Sequence, residues 1–171
     1  PAVLKKMYYA FVHSHVLYAV EIYANTCPTY LDKLVKLNNK ILRIIQNKPF
    51  RSHVADLYIQ YKTLPIPLLH EQQLLLFVYK VLNCPYVLPE VFTGNFDFNN
   101  ILHSHNTRSS KNIHMYRANS TSGQRSLKYK AANLWNELPL EVKEQRYSSV
   151  GRLKLILTSY LSNQTTTVEA H

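Results

Sequence analysis

Ten carboxylates, eight histidines and two cysteines are the side chains of this 171-residue chain that could bind metal ions, move protons or attack an electrophile. Phosphoryl-transfer enzymes need two or three carboxylates converging on divalent metals, because the ions must bridge phosphate oxygens. No acid here sits in an Asp-Asp or Asp-x-Asp arrangement: Asp97 is isolated in NFDFN, and Asp32 and Asp56 fall at expected helix starts. His13 and His15 are two apart, as are His103 and His105, while His53, His70 and His114 are scattered. Zinc sites want paired ligands at C-x2-C or H-x3-H type spacing, and on a helix His13 and His15 point apart. Cys27 and Cys84 stand alone in the sequence, and no orienting group pins either to a histidine. There is no Gly-rich phosphate loop and no G-x-S-x-G. On its own residues the chain is expected to be no enzyme and to hold no cofactor or metal.

The cations are patterned differently. Between Phe98 and Asn136 no acid occurs, and the stretch carries Arg108, Lys111, Arg117, Arg125, Lys128 and Lys130 together with His114, Tyr116 and Tyr129. Arg and Lys suit phosphates, and aromatic rings suit unstacked bases. The competing account is a solvent-exposed loop that happens to be basic. A second set, Lys33, Lys36, Lys40 and Arg43, recurs at helical spacing with no acidic partner expected at i+4. It reads either as an ordinary solvated face or as a line of phosphate contacts. A formal charge of +10 and a pI near 9.6 make an anionic partner, RNA and/or DNA, the expected one. A membrane is not expected, since the longest apolar run, Leu74 to Val78, is far too short to span one. Two isolated cysteines fit reduced thiols in an intracellular protein, of the nucleus and/or cytoplasm.

The elements that must position these residues are helical. Hydrophobic residues make up 46% of the chain, enough for a core, and three glycines are too few for a turn-rich sheet protein. Met7, Phe11, Leu17, Tyr18 and Ile22 predict one helix over 4–23. Thr29, with Asp32 three residues on, predicts a capped helix reaching about Gln46, with Leu31, Leu34, Val35, Asn38, Leu42 and Ile45 on its inner face. Ser52 can cap a helix over 54–62. The segment 68–83 is apolar nearly all round and is expected to be the central buried helix, each leucine contributing ~1.5–3 kcal/mol. Lys111 to Arg117 alternates and predicts a short strand, and Ser120 to Gly123 a turn. Leu127, Ala131, Leu134, Trp135 and Leu138 predict a helix with Trp135 in the core. Pro139 can open the next turn, and a last helix starts near Ser149. The expected fold is mainly α: a compact helical bundle with a basic, partly extended or short β-containing insertion and a C-terminal helix. The segments are a helical core (1–92), the basic region (93–126), a C-terminal helical region (127–162) and a mobile tail (163–171).

Several blocks stand in a telling order: LYAVEIYANT (Leu17–Thr26), LxKLxxLxNKILRII (Leu31–Ile45), NKPFRSHVADLY (Asn47–Tyr58), LLLFVYKVLN (Leu74–Asn83), HNTR (His105–Arg108) and KYKAANLWNELP (Lys128–Pro139), then an amphipathic helix. In this order the chain resembles the thumb and post-thumb region of reverse transcriptases from non-LTR, LINE-type retrotransposons. Tyr23 stands where many relatives have Trp, and Ala19 where Gly is common. The resemblance implies a nucleic-acid-binding segment of a longer RNA-directed DNA polymerase, adjoining that polypeptide's palm and fingers. The start at Pro1 rather than Met fits a piece of a longer polypeptide. The family's aromatic-Ala-Asp-Asp turn lies upstream of this region and is absent here, so no catalytic carboxylate is carried over; Mg is expected of the full polymerase only. The alternative is a structural or protein-interaction domain derived from a degenerate or reused transposon fragment.

Overall fold

Tyr8 is 1% exposed, whereas Phe11 is 65% and Tyr18 82% exposed, and this pattern sets how the N-terminal segment packs. The computed structural model describes residues 2–92, 94–102, 108–144, 147 and 149–168. Helix α1 (Ala2–Met7) widens into a π-helical turn (Tyr8–His13) and continues as α2 (Ser14–Leu17). Tyr18 is then extended, Ala19 is left-handed at φ 54°, and α3 (Val20–Tyr23) follows. The expected single helix is therefore interrupted, and its inner face is Tyr8, Val16 and Val20, with Val12 partly buried, rather than Met7, Phe11, Tyr18 and Ile22. The two rows differ by one residue at Tyr8 and Val12 and by two at Val16 and Val20. The tyrosine row wins because its hydroxyl finds a buried partner: Tyr8 Oη donates to Asn38 Oδ1 at 3.2 Å.

Asn38 lies on α4 (Pro28–Ile45). Its Nδ2 donates to Tyr58 Oη at 3.0 Å, and Tyr58 Oη donates to Asn39 Oδ1 at 2.6 Å. The amide thus ties three elements together where α5 (Ala55–Tyr61) crosses. Burial pushes the Tyr58 phenol far up from its ordinary value, so it stays a neutral donor. Both expected caps are absent. Helix α4 opens at Pro28 with Cys27 as its N-cap residue, and α5 opens after Val54, neither with a side-chain cap. The capping role given to Thr29 is made unnecessary by Pro28, whose missing N–H is one of the orphans of a first turn. Lys62, left-handed at φ 56°, ends α5.

Helix α6 (Ile66–Asn83) begins two residues before the expected start and buries Ile66, Leu69, His70, Gln72, Leu74, Leu75, Leu76, Val78 and Tyr79. The chain divides into two compact units, residues 1–70 with 158–171 and residues 71–157, so the boundary falls inside α6. In the first unit one cluster joins Tyr8, Leu42, Leu57, Tyr58 and Tyr61, and another joins Val16, Leu64, Ile66, Leu69 and Leu161.

In the second unit 3-10 turns at Pro85–Val87 and Glu90–Phe92 lead to Phe92 and Phe96, whose rings stand edge-on to Phe77. The expected strand is reduced to one antiparallel bridge, Phe98 with Ile113, and the chain from His114 to Asn119 is irregular. Around the bridge lie the short α7 (Asn99–Leu102) and α8 (Thr121–Gln124); then come α9 (Leu127–Glu137), α10 (Leu140–Glu144) and α11 (Val150–Val168). Ser126 caps α9 by accepting from Tyr129 N–H at 3.3 Å. Trp135 is buried with Ala131 and Ala132, as its spacing predicts. Leu153, Leu157 and Leu161 form the buried row of α11, which runs on to Val168 through most of the segment read as a tail. The fold is mainly α.

Candidate nucleic-acid interface

The turn 108–112, the chain 113–119 and the first turn of α9 carry Arg108, Lys111, Arg117, Lys128 and Lys130. Asn136 of α9 holds the chain against the helix. Asn136 Oδ1 accepts from Ile113 N–H at 2.8 Å, and Asn136 Nδ2 donates to Ile113 O at 2.9 Å. This two-point pairing gives the backbone of the 1%-exposed Ile113 what a second strand would otherwise supply. Lys143 Nζ in turn donates to Asn136 O at 2.7 Å, satisfying a carbonyl at the C-terminal end of α9.

The result is a groove of about 350 Å³ whose lining includes His114, Tyr116, Arg117, Ser126, Lys128 and Tyr129. Lys128 Nζ lies 4.4 Å from the centroid of the Tyr116 ring. His114 meets the same ring edge-on at 4.9 Å, and its Nδ1 pairs with Asn99 Oδ1 at 3.0 Å. Arg117 Nε donates to Asn119 Oδ1 at 2.9 Å. The floor is tight at Gly123: a Cβ there would come within 3.2 Å of both Ala118 Cβ and Ser120 Oγ. Of the sequence candidates, then, Arg117 and Lys128 meet in one groove with all three aromatic residues expected to touch bases.

The other cations of this unit do not line that groove. Arg108 and Lys111 are exposed in the preceding turn, and Arg125 ends α8. Lys130 is half-buried on α9. Burial, then the Arg125 charge, lowers its pKa, while Glu71 opposes this. Glu71 is raised by burial and by Glu137, against the pull of Lys130. His103 and His105, and with them most of HNTR, lie outside the described residues.

The α4 set sits in the first unit. Lys33, Lys36 and Lys40 are exposed along one side, as their spacing predicts. The expectation that no acid stands at i+4 is overturned: Asp32 pairs with Lys36 at 2.6 Å. Arg43 is half-buried, stacks over Phe50 at 5.8 Å, and donates from Nε to Ser52 O at 3.1 Å. Its guanidinium therefore ties the α4–α5 connection as well as ending the stripe. A larger hollow in this unit, about 590 Å³, is lined by Ile22, Tyr23, Asn25, Thr26, Tyr30, Leu31 and Leu34 and carries no cation.

Sequence reasoning missed Asn136 and Asn99. The available signal was Asn136 itself, a weak helix former at the end of an otherwise strong helical run. Among the described residues no three His, Cys, Asp or Glu side chains gather as a metal site, and no helix is long and apolar enough to cross a membrane. No protein-family model, no curated protein and no solved structure matches this chain.

Proposed function

We propose that this chain binds nucleic acid by phosphate neutralisation and base contact, without itself cutting or copying it. The observation that carries the proposal is the groove in which Arg117 and Lys128 stand with His114, Tyr116 and Tyr129. Cations and aromatic faces in one groove are what a polynucleotide engages. The order of sequence blocks supports a place for it as the thumb and post-thumb region of a longer RNA-directed DNA polymerase of the non-LTR retrotransposon type. Mg would belong to the palm of that polypeptide, and its work would lie in the nucleus and/or cytoplasm.

A salt titration tests the reading. Binding to an RNA or DNA oligonucleotide is expected to weaken steeply between low and physiological salt, in proportion to the phosphates neutralised. Charge reversal at Lys128 and at Lys40 is expected to weaken it more than reversal at Arg152, an exposed cation of α11 outside both sets. Equal effects at all three would remove the assignment of these cations.

A second reading, a structural or protein-interaction domain from a degenerate or reused transposon fragment, is favoured by one feature. Val3, Met7 and Phe11, four residues apart along α1 and the π-helical turn, are all exposed. An apolar row of this kind suits a protein partner, which in the first reading is the palm or fingers of the same polypeptide.

A further inference from the structure

We infer that the groove beside α9 seats one unpaired nucleotide of a single strand, its base on the Tyr116 ring and its phosphate on Lys128 and Arg117. The inference rests on the nucleic-acid reading above and narrows it to one form of the polymer. Tyr116 is 50% exposed, and the Lys128 ammonium covers its ring at 4.4 Å. His114, paired to Asn99 through Nδ1, braces the ring edge-on. The ring thus has an aromatic neighbour at its edge and a cation over its face.

An ammonium over an exposed ring is a weaker contact than a base stacked there, and an ammonium on phosphate makes a charge-assisted bond. An arriving nucleotide thus exchanges one contact for two: Lys128 swings to the phosphate, and the base takes the ring. Arg117 uses Nε on Asn119 and has further N–H donors in its fork for the same phosphate. A duplex can offer only its phosphates here, because its base faces are already stacked. A groove of about 350 Å³ is the scale of a small ligand, not of a double helix.

The test uses the full chain and three labelled probes of equal length: an oligothymidylate strand, the same backbone without bases, and a thymidylate–adenylate duplex. Fluorescence anisotropy should give the single strand an advantage of about tenfold over the other two. Tyr116→Leu should erase that advantage and Tyr116→Phe keep it, both without changing the slope of log K against log salt. Lys128→Gln should lower the slope by about one. If the three probes bind alike, or Tyr116→Leu behaves as the parent, the nucleotide seat is wrong while polyanion binding stands. If none binds even at low salt, the nucleic-acid reading itself falls. Circular dichroism checks folding of the variants, and the base-free probe tests the seat without any substitution.

Discussion

Both ends of the Asn136 amide are used on Ile113, and no other side chain can repeat this without loss. Alanine removes both bonds and leaves a backbone N–H and C=O at a buried residue, a change expected to cost about 2–4 kcal/mol. Aspartate keeps the acceptor for Ile113 N–H but sets a carboxylate against Ile113 O. Urea unfolding should therefore rank the parent above both Asn136→Ala and Asn136→Asp; an aspartate variant as stable as the parent would show that one bond suffices. Glu71 is the other residue whose role is electrostatic. Its folded pKa is raised above the usual 4.5, first by burial and then by Glu137. A raised acid is stabilising in its protonated form, so its contribution is present below pH 4.5 and is lost as pH rises through the higher folded value. Glu71→Gln is thus expected to be more stable than the parent at pH 7, and the difference should shrink toward pH 4. Thermal melts across that range check it, and a constant difference would mean packing rather than charge is responsible.

At the scale of elements, the joint between α2 and α3 turns on Ala19, held left-handed at φ 54°. A Cβ is crowded in that region, costing about 1–2 kcal/mol, which glycine avoids at some expense in unfolded-chain entropy. Ala19→Gly is expected to raise stability by about 0.5–1 kcal/mol, and a decrease in the denaturation midpoint would show that the joint is not strained. The same joint marks where sequence periodicity stopped being informative. In α9 the expected row of Leu127, Ala131, Leu134, Trp135 and Leu138 includes the buried Ala131, Trp135 and Leu138, so that face was legible. In the first helix the expected row of Met7, Phe11, Tyr18 and Ile22 is exposed, and a long-range bond from Tyr8 to Asn38 that spacing does not encode helps set the buried face instead. The π-helical turn and the left-handed Ala19 then removed any constant phase. Cap residues misled for a similar reason, since Pro28 began α4 ahead of Thr29. The groove was half legible: its cations and rings were visible as residue types, but the Asn136 pairing that gathers them spans 23 residues and belongs to tertiary structure.

For the whole molecule the governing quantity is a net charge of +10 on 171 residues. Like charges at this density repel in the compact state, even with Lys36 held by Asp32 at 2.6 Å. Salt should therefore act in two opposite senses. For the free chain, raising NaCl from low to moderate concentration screens the repulsion and should raise the melting temperature. With a single-stranded oligonucleotide at about a hundred times its Kd, binding should add about 2.7 kcal/mol to folding stability at low salt. That increment should vanish as salt rises, because each neutralised phosphate contributes to a falling log K. Differential scanning calorimetry with and without the strand separates the two trends in one series. A ligand increment that survives high salt would point to contacts made without phosphate, and would give the base on Tyr116 a larger share of the interaction than Arg117 and Lys128. A free chain whose melting temperature ignores salt would mean that its cations are already compensated within the fold.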